Sequence, residues 1–465
     1  MSLEKSAGEA PTLTAINPAN GQVLKTYPET PVDEACRILI KMQAAFEDWQ
    51  QWSFTDRGAC FKRLAGLLRD GKGQHARTIT LEMGKPISEA EAEIEKCAWA
   101  CDHYADHAEA LLQDEIIPTD MTDSRVTYRP LGIILAVMPW NFPFWQVIRA
   151  AAPAMMAGNA MVLKHASQVP DCALTLEALF QRAGFPMDAF RCLLLGSRNT
   201  PLILVNDLVR GVTMTGSTRA GETLAAQCGS QLKKAVFELG GSDAYLILAD
   251  ADLDAAAEAC ARGRMVNGGQ SCIAAKRFVV EKAIQATFSE KLVKAMTAWT
   301  PDDPLEPDCR LGPMARMDLR DKLHEQVKAS IAAGARCLLG GEAPAGDAAF
   351  YPPTVLDGVK PGMPAYSEEL FGPVAAILPA EDEEDAIRIA NDTVYGLGGG
   401  IFSRNVERAT DIARHRLQSG MVAVNRMVAS DPRLPFGGIR KSGIGREQGA
   451  LGIREFVNAK TLMVD

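Results

Sequence analysis

"RVTYRPLGIILAV", residues 125–137, is the stretch at which the grammar of the chain changes. Upstream, residues 32 to 112 carry long helical patterns such as "VDEACRILIKMQAAFEDW", with apolar residues three and four apart. Downstream, short β-type runs take over: "AMVLK", "CLLL", "GVTMT", "AVFEL" and "AYLILA", with helical stretches such as "DCALTLEALFQRAG" between several of them. Strand, helix, strand in succession predicts a mostly parallel sheet with covered faces. A second alternating series starts near residue 243 and runs to about 440, through "RFVV", "QATFSEKLVKAM", "ARCLLG", "VAAIL" and "GGGIFS". The predicted fold class is α/β, two parallel-sheet units in tandem, joined at "ELGGSDA" where paired glycines interrupt the pattern.

The length of 465 residues agrees with such a division, because single cores rarely exceed about 200 residues. A composition of 47% hydrophobic and 23% charged residues is that of a globular chain and excludes wholesale disorder. The formal charge of −9 argues against nucleic-acid or anionic-membrane partners, which need a clustered positive face. The acidic run "EDEEDA" from Glu381 reads as a helix start, where the dipole favours carboxylates. The N-terminus has no apolar core of signal-peptide length, and "LGIILAVMPW" is too short to span a membrane.

Eleven cysteines without a regular framework suit reduced thiols in a cytoplasmic protein. In "CAWACDHYADH", helical geometry of about 100° per residue puts Cys97 and Cys101 nearly opposite His103 and His107, so no metal site is expected. Cys272 differs from the other thiols. It sits among small and polar neighbours in "GGQSCIAA", where substrate and backbone could approach closely.

Three strand ends carry further candidates, since ligands of open parallel sheets gather beyond the carboxyl ends of strands. "GVTMTGSTRAG" ends a strand at Thr215 and opens a helix near Arg219, with Gly216 and Ser217 at the turn, which suits a phosphate as well as a plain turn. "AMVLKHAS" ends in Lys164, a cation for a nucleotide or a snorkelling side chain. "ELGG" ends in Glu238, a general base or a rim carboxylate. In "MPWNFPFW", Asn141 could donate its amide to an oxyanion or cap a turn.

Taken together, "PWNFP" at 139–143, the Lys164 strand, "TGSTRAG" at 215–221, "FELGGSD" at 237–243, "GGQSCIAAKR" at 268–277, "EELFGPV" at 368–374 and "PFGGIRKSGIGRE" at 435–447 resemble the aldehyde dehydrogenase superfamily almost end to end. The resemblance implies Cys272 as nucleophile, Glu238 as general base and Asn141 as oxyanion donor. It sets Trp140, Lys164, Ser167, Gly216, Ser217, Gly221, Leu239, Glu369 and Phe371 around NAD or NADP, with no metal. It also implies an aldehyde dehydrogenase-like fold: a dinucleotide-binding domain of residues 1–111 and 131–240, a catalytic domain of 241–440, and a small β oligomerisation arm of 112–130 and 441–465. A homodimer or homotetramer is expected of such a chain.

The residues around the cysteine and after the lysine resemble bacterial succinate-semialdehyde dehydrogenases, which oxidise succinate semialdehyde to succinate through a cysteine thiohemiacetal and thioester. Arg149 matches an arginine that grips the substrate carboxylate in that group, and its bland alternative is a salt-bridged helix arginine. A second arginine, expected six residues before the nucleophile, is Val266, and the expected serine is displaced to Ser430. Ala274 stands where some relatives carry a second cysteine, so no local disulfide switch is expected. Ser167 replaces a glutamate that repels a 2'-phosphate in many NAD enzymes, so both NAD and NADP are expected to serve. Glutarate semialdehyde or an apolar aldehyde are alternative substrates. A cysteine acyl hydrolase using His165, or a catalytically silent dinucleotide binder, are the alternatives of other classes.

Overall fold

The computed structural model describes residues 11–465, so the start of the expected first segment, residues 1–10, and with it the first half of the N-terminal stretch read above, lies outside the described residues. In chain order the strands are β1 Thr12–Ile16, β2 Val23–Pro28, β3 Glu115–Ile116, β4 Asp123–Pro130, β5 Ile133–Met138, β6 Ala160–His165, β7 Phe190–Cys192, β8 Val209–Thr215 and β9 Lys234–Glu238. They continue with β10 Asp243–Ile247, β11 Ala275–Glu281, β12 Arg336–Leu339, β13 Thr354–Asp357, β14 Val374–Ala380, β15 Gly399–Phe402, β16 Ala423–Val424, β17 Gly443–Ile444 and β18 Val457–Val464.

The 125–137 stretch becomes two strands in two different sheets. Pro130 ends β4 and has no N–H for a ladder, and Gly132 takes φ +139°, so the chain turns before β5 begins. All six residues of β5 are buried and apolar, and the strand lies centrally in a six-stranded sheet of order β17-β9-β8-β5-β6-β7. Removing each such Ile, Leu or Val side chain from water contributes about 1.5–3 kcal/mol, which is why a continuous apolar run selects this central place. The helix Val32–Trp49 covers one face of the sheet through Ile38, Leu39 and Met42, and the helices Phe54–Asp70, Ile87–Leu111 and Trp145–Met156 cover the other.

The second sheet has seven strands in the order β12-β13-β14-β11-β10-β15-β16, parallel except for the edge pair β12 with β13. "ARCLLG" supplies that antiparallel edge. The acidic run opens the helix Glu383–Asn391, where Asp382 caps the Asp385 N–H and the first turn holds Glu383, Glu384 and Asp385. Between β9 and β10 lie only residues 239–242, so the chain leaves the carboxyl edge of the first sheet and enters the amino edge of the second almost at once. The two edges therefore face each other across the join.

β18 pairs antiparallel with β4 along its whole length, and β3 completes a three-stranded arm. Residues 441–465 divide between two sheets. Gly443 and Ile444 pair with Glu238 and Phe237 beside the first sheet, and only β18 lies in the arm. A two-residue strand after "PFGGIRK" gives no alternation to read in the sequence.

Candidate active site

Two cavities meet at Cys272. One is a crevice of about 450 Å³ between the sheets, and the other is a cavity of about 390 Å³ on the far side of the sulfur. Cys272 lines both and is half-buried, whereas Cys60, Cys97, Cys101, Cys172 and Cys260 are buried in apolar packing. His103 and His107 stack on one another at 4.6 Å, and with Cys97 and Cys101 they form no metal-holding group among the described residues.

The loop that presents Cys272 has an unusual backbone. Asn267, Gly268 and Gly269 follow one another at φ +55°, +58° and +74°. At Gly269 a Cβ would collide with the carbonyl of Gly372, so glycine is the one residue that both the dihedral and the close approach allow. Lys276, at the start of β11, closes the loop from below: its ammonium donates to the carbonyls of Ser271 at 3.0 Å and Cys272 at 2.7 Å and lies 3.4 Å from Glu369. Asn267 ties this loop to the one after β5, donating from Nδ2 to the Asn141 carbonyl at 2.8 Å and to the Gln270 carbonyl at 3.1 Å. Asn141 donates its own Nδ2 to the Gln270 carbonyl at 3.0 Å, which holds the side-chain amide beside the nucleophile loop with one N–H still to give.

The nucleophile loop precedes its strand. Cys272 precedes β11, Glu369 and Phe371 precede β14, and all three meet residues that follow β5 and β8. The carboxyl-edge expectation thus holds for Asn141, Gly216 and Ser217 and reverses for Cys272, because the short β9–β10 join turns the second sheet's amino edge toward the first sheet's carboxyl edge.

Burial pushes the Cys272 thiol up to about 11, and the nearby Arg149 and Lys276 cations oppose that rise. Glu238 is 1% exposed, and neither carboxylate oxygen has a hydrogen-bond partner among the described residues. Burial and, next, the Glu447 carboxylate hold its carboxyl well above the usual range, with Arg149 and Arg446 pulling the other way. Arg149 is not free in the cavity. Its Nε is ion-paired with Glu447, its Nη2 donates to Thr215 Oγ1 at 3.1 Å, and its guanidinium lies 4.5 Å from the centroid of the Phe436 ring. The salt-bridge alternative describes it, although its partner comes from the far end of the chain. Ser430 lines the same cavity and donates to Gln448 Oε1 at 2.7 Å.

Trp140 and Phe371 face each other edge-on across the crevice, with ring centroids 5.8 Å apart. Its floor holds Gly216, Ser217 and Leu239, and Glu369 enters from the second sheet, anchored by the Gly241 N–H at 3.0 Å. Ser217 caps the helix Thr218–Ser230, whose exposed N-terminal amides face the crevice together with Arg219 and Lys322. Gly221 acts through packing: a Cβ there would collide with Leu239, so the glycine lets the helix seat against the crevice wall. Lys164 and Ser167 stand outside the lining residues, Lys164 on β6 beside Val137 of β5, where burial lowers its pKa. An amide-rich helix end, two cations, a carboxylate and two aromatic faces fit the diphosphate, ribose and ring of a nicotinamide dinucleotide.

His165 lies in the core. Its ring nitrogens meet the carbonyl of Pro143 at 2.9 Å and the N–H of Ala166 at 2.9 Å, and burial lowers its pKa to about 4. It is committed away from Cys272, which leaves the acyl-hydrolase alternative without its imidazole. The sequence passed over Asn267, Lys276, Glu447, Arg219, Lys322 and Tyr395, of which the crevice holds the last three. Lys276 and Glu447 lie inside two of the quoted motifs, so charged residues in glycine-rich motifs were the available signal.

The aldehyde dehydrogenase family model matches residues 5–462. An NADP(+) enzyme of Synechocystis sp. named "Probable succinate-semialdehyde dehydrogenase" is 46% identical over 452 residues, covering 97% of this chain and 99% of its own. The NAD(P)+ succinate semialdehyde dehydrogenase Sad of Escherichia coli K12 is 45% identical over 451 residues, 97% of each chain. Among solved structures, succinic semialdehyde dehydrogenase from Streptococcus pyogenes in complex with NADP+ superposes with a TM-score of 0.95 at 36% identity, over 97% of this chain and 99% of that one. With its fold, its two-edged crevice and its whole length matched in this way, the chain belongs to the aldehyde dehydrogenase family.

Proposed function

We propose that this enzyme oxidises succinate semialdehyde to succinate with NADP or NAD. Cys272, half-buried where the two cavities meet and within reach of Asn141, is the observation that carries the reading. Cys272 attacks the aldehyde carbon as its thiolate, forming a carbon–sulfur bond, and the remaining N–H of Asn141 serves the oxyanion. A nicotinamide dinucleotide bound in the crevice supplies the hydride acceptor that this thiohemiacetal needs to become a thioester. Glu238 then acts as a general base: it takes a proton from water, the hydroxide adds to the thioester carbon, and Cys272 leaves as thiolate with release of the acid.

The 43–46% identity to enzymes named for succinate semialdehyde supports that substrate, and the cavity beyond Cys272 contains cations suited to a carboxylate. The proposed domain division assigns 1–111 and 131–240 to the cofactor, 241–440 to catalysis, and 112–130 with 441–465 to oligomerisation. Support for a homodimer or homotetramer is the arm's exposed apolar side chains, Ile116 at 71% and Met463 at 66% exposure, on strands β3 and β18. Eleven unpaired cysteines support a cytoplasmic location, and no described helix is long and apolar enough to cross a membrane.

The test is aldehyde-dependent reduction of NADP and NAD by the purified full chain, with succinate semialdehyde, glutarate semialdehyde and butanal compared. Cys272→Ala should lose activity on the order of 10³-fold or more and lose its stoichiometric burst of reduced cofactor. A retained burst in that variant would remove Cys272 from the chemistry.

A further inference from the structure

The cavity beyond Cys272 has to recognise the remote end of the substrate, and most of its charged side chains are already committed. Arg149 is ion-paired with Glu447. Glu93 is ion-paired with Lys85 and accepts the N–H groups of Phe144 and Trp145, both at 2.9 Å. Glu89 accepts the Asn267 N–H at 2.7 Å, and burial pushes its carboxyl up to about 7, which weakens it as a repelling charge.

Lys96 stands apart from these. Lys96 and Arg262 both line the cavity of Cys272 with neither a side-chain hydrogen bond nor an ion pair to any described residue; Arg262 is exposed to solvent, whereas Lys96 is half-buried. Glu89, Glu93 and Lys96 are spaced by four and three residues on the helix Ile87–Leu111, which puts them on one stripe facing the cavity. The ammonium rests over the Trp145 ring, 4.3 Å from its centroid, so the lysine is held over the cavity wall and not spread into solvent. The surrounding wall is largely hydrocarbon from Phe142, Trp145, Trp299 and Phe436, in which a cation without a counterion is costly and gains most from an incoming anion.

We propose that Lys96 binds the terminal carboxylate of the substrate and is the residue that sets the preference for an aldehyde bearing that group. The proposal rests on the succinate-semialdehyde reading and deepens it. Arg149, the residue expected from the sequence for this task, also lines the cavity, but its guanidinium is engaged by Glu447 and lies over the Phe436 ring.

The experiment compares kcat/KM for succinate semialdehyde and for butanal, which has the same chain length without the carboxylate, in the full-length wild type, Lys96→Met and Lys96→Arg. In Lys96→Met the succinate-semialdehyde to butanal ratio should fall on the order of 10- to 100-fold, mainly through KM for the acidic aldehyde, and Lys96→Arg should restore most of it. An unchanged ratio in Lys96→Met, including one in which both aldehydes lose activity equally, overturns the proposal while leaving the function intact. A wild type that shows no preference for the acidic aldehyde overturns the functional reading and the role of Lys96 with it.

Discussion

Arg149 and Glu447 form a buried ion pair, 2% and 5% exposed, and both charges act on the carboxyl of Glu238. Glu447 follows β17, the short strand that pairs with β9, so the return of the chain to the first sheet is what delivers it. Its position matters because Glu447 raises the Glu238 carboxyl and Arg149 lowers it.

Glu447→Gln should therefore act on the pH profile of thioester hydrolysis. Removing the repelling carboxylate and releasing Arg149 both lower the Glu238 carboxyl, so its conjugate base persists to lower pH. The acid limb of the kcat profile should move to lower pH, measured under conditions where hydrolysis limits turnover. The same change leaves a buried guanidinium without its counterion and should cost about 3 kcal/mol of stability. An acid limb that stays in place would separate Glu447 from Glu238.

Asn141 and Asn267 hold the two loops of the site against each other through the Gln270 and Asn141 carbonyls. Asn141→Ala should lower kcat on the order of 10²- to 10³-fold, the usual loss for one preorganised oxyanion donor. Asn267→Ala keeps the donor but frees the loop at a left-handed position, so thermal stability and kcat should fall together. Steady-state kinetics with melting curves distinguishes the two, since Asn141→Ala should melt much closer to wild type.

The parts legible in the sequence were those that a local pattern encodes. Apolar runs at β5 and β8, the Ser217 cap and the acid-rich start at Glu383 each fix an element from within a few residues. The resemblance then put Cys272, Asn141, Glu369 and Phe371 within one crevice, and the fold brings them there. Contacts closed by distant segments were not legible. Arg149 finds its partner 298 residues later, and Lys96 looks like one more charge on a solvated helix in "EIEKCAWA". Neither periodicity nor motif spacing carries information about which buried charge neutralises which.

Glu89 joins the helix Ile87–Leu111 to the nucleophile loop through the Asn267 N–H, and its carboxyl is raised to about 7. The folded protein therefore holds this proton more tightly than the unfolded chain, whose glutamate titrates near 4.5. The stability it contributes is present below about pH 4.5 and is lost as pH rises toward 7. Glu89→Gln removes the titration and keeps an oxygen for the Asn267 N–H. The difference in Tm, wild type minus variant, should fall between pH 5 and pH 8 as measured by calorimetry; a difference that is flat in pH would mean that Glu89 does not titrate there.

The resemblance assigns Ser167 and Lys164 to the adenosine end of the cofactor, although neither lines the crevice, and substitution tests that assignment. Lys164 lies at the end of β6 and Ser167 two residues beyond that strand, half-buried, with no carboxylate at either position. A 2'-phosphate would meet a cation and a hydroxyl there, whereas a glutamate at 167 would place a second negative charge against it. Ser167→Glu should therefore reduce kcat/KM for NADP on the order of 10-fold or more and leave NAD far less affected, since the ribose hydroxyls of NAD can donate to a carboxylate. Lys164→Met should also weaken NADP more than NAD, and because Lys164 is buried, where salt screens little, the loss should persist as ionic strength rises. The two variants push in the same direction by opposite means, one adding an anion and the other removing a cation, so an NADP to NAD ratio that moves in neither would place the 2'-phosphate elsewhere, toward Arg219 or Lys322 at the crevice mouth.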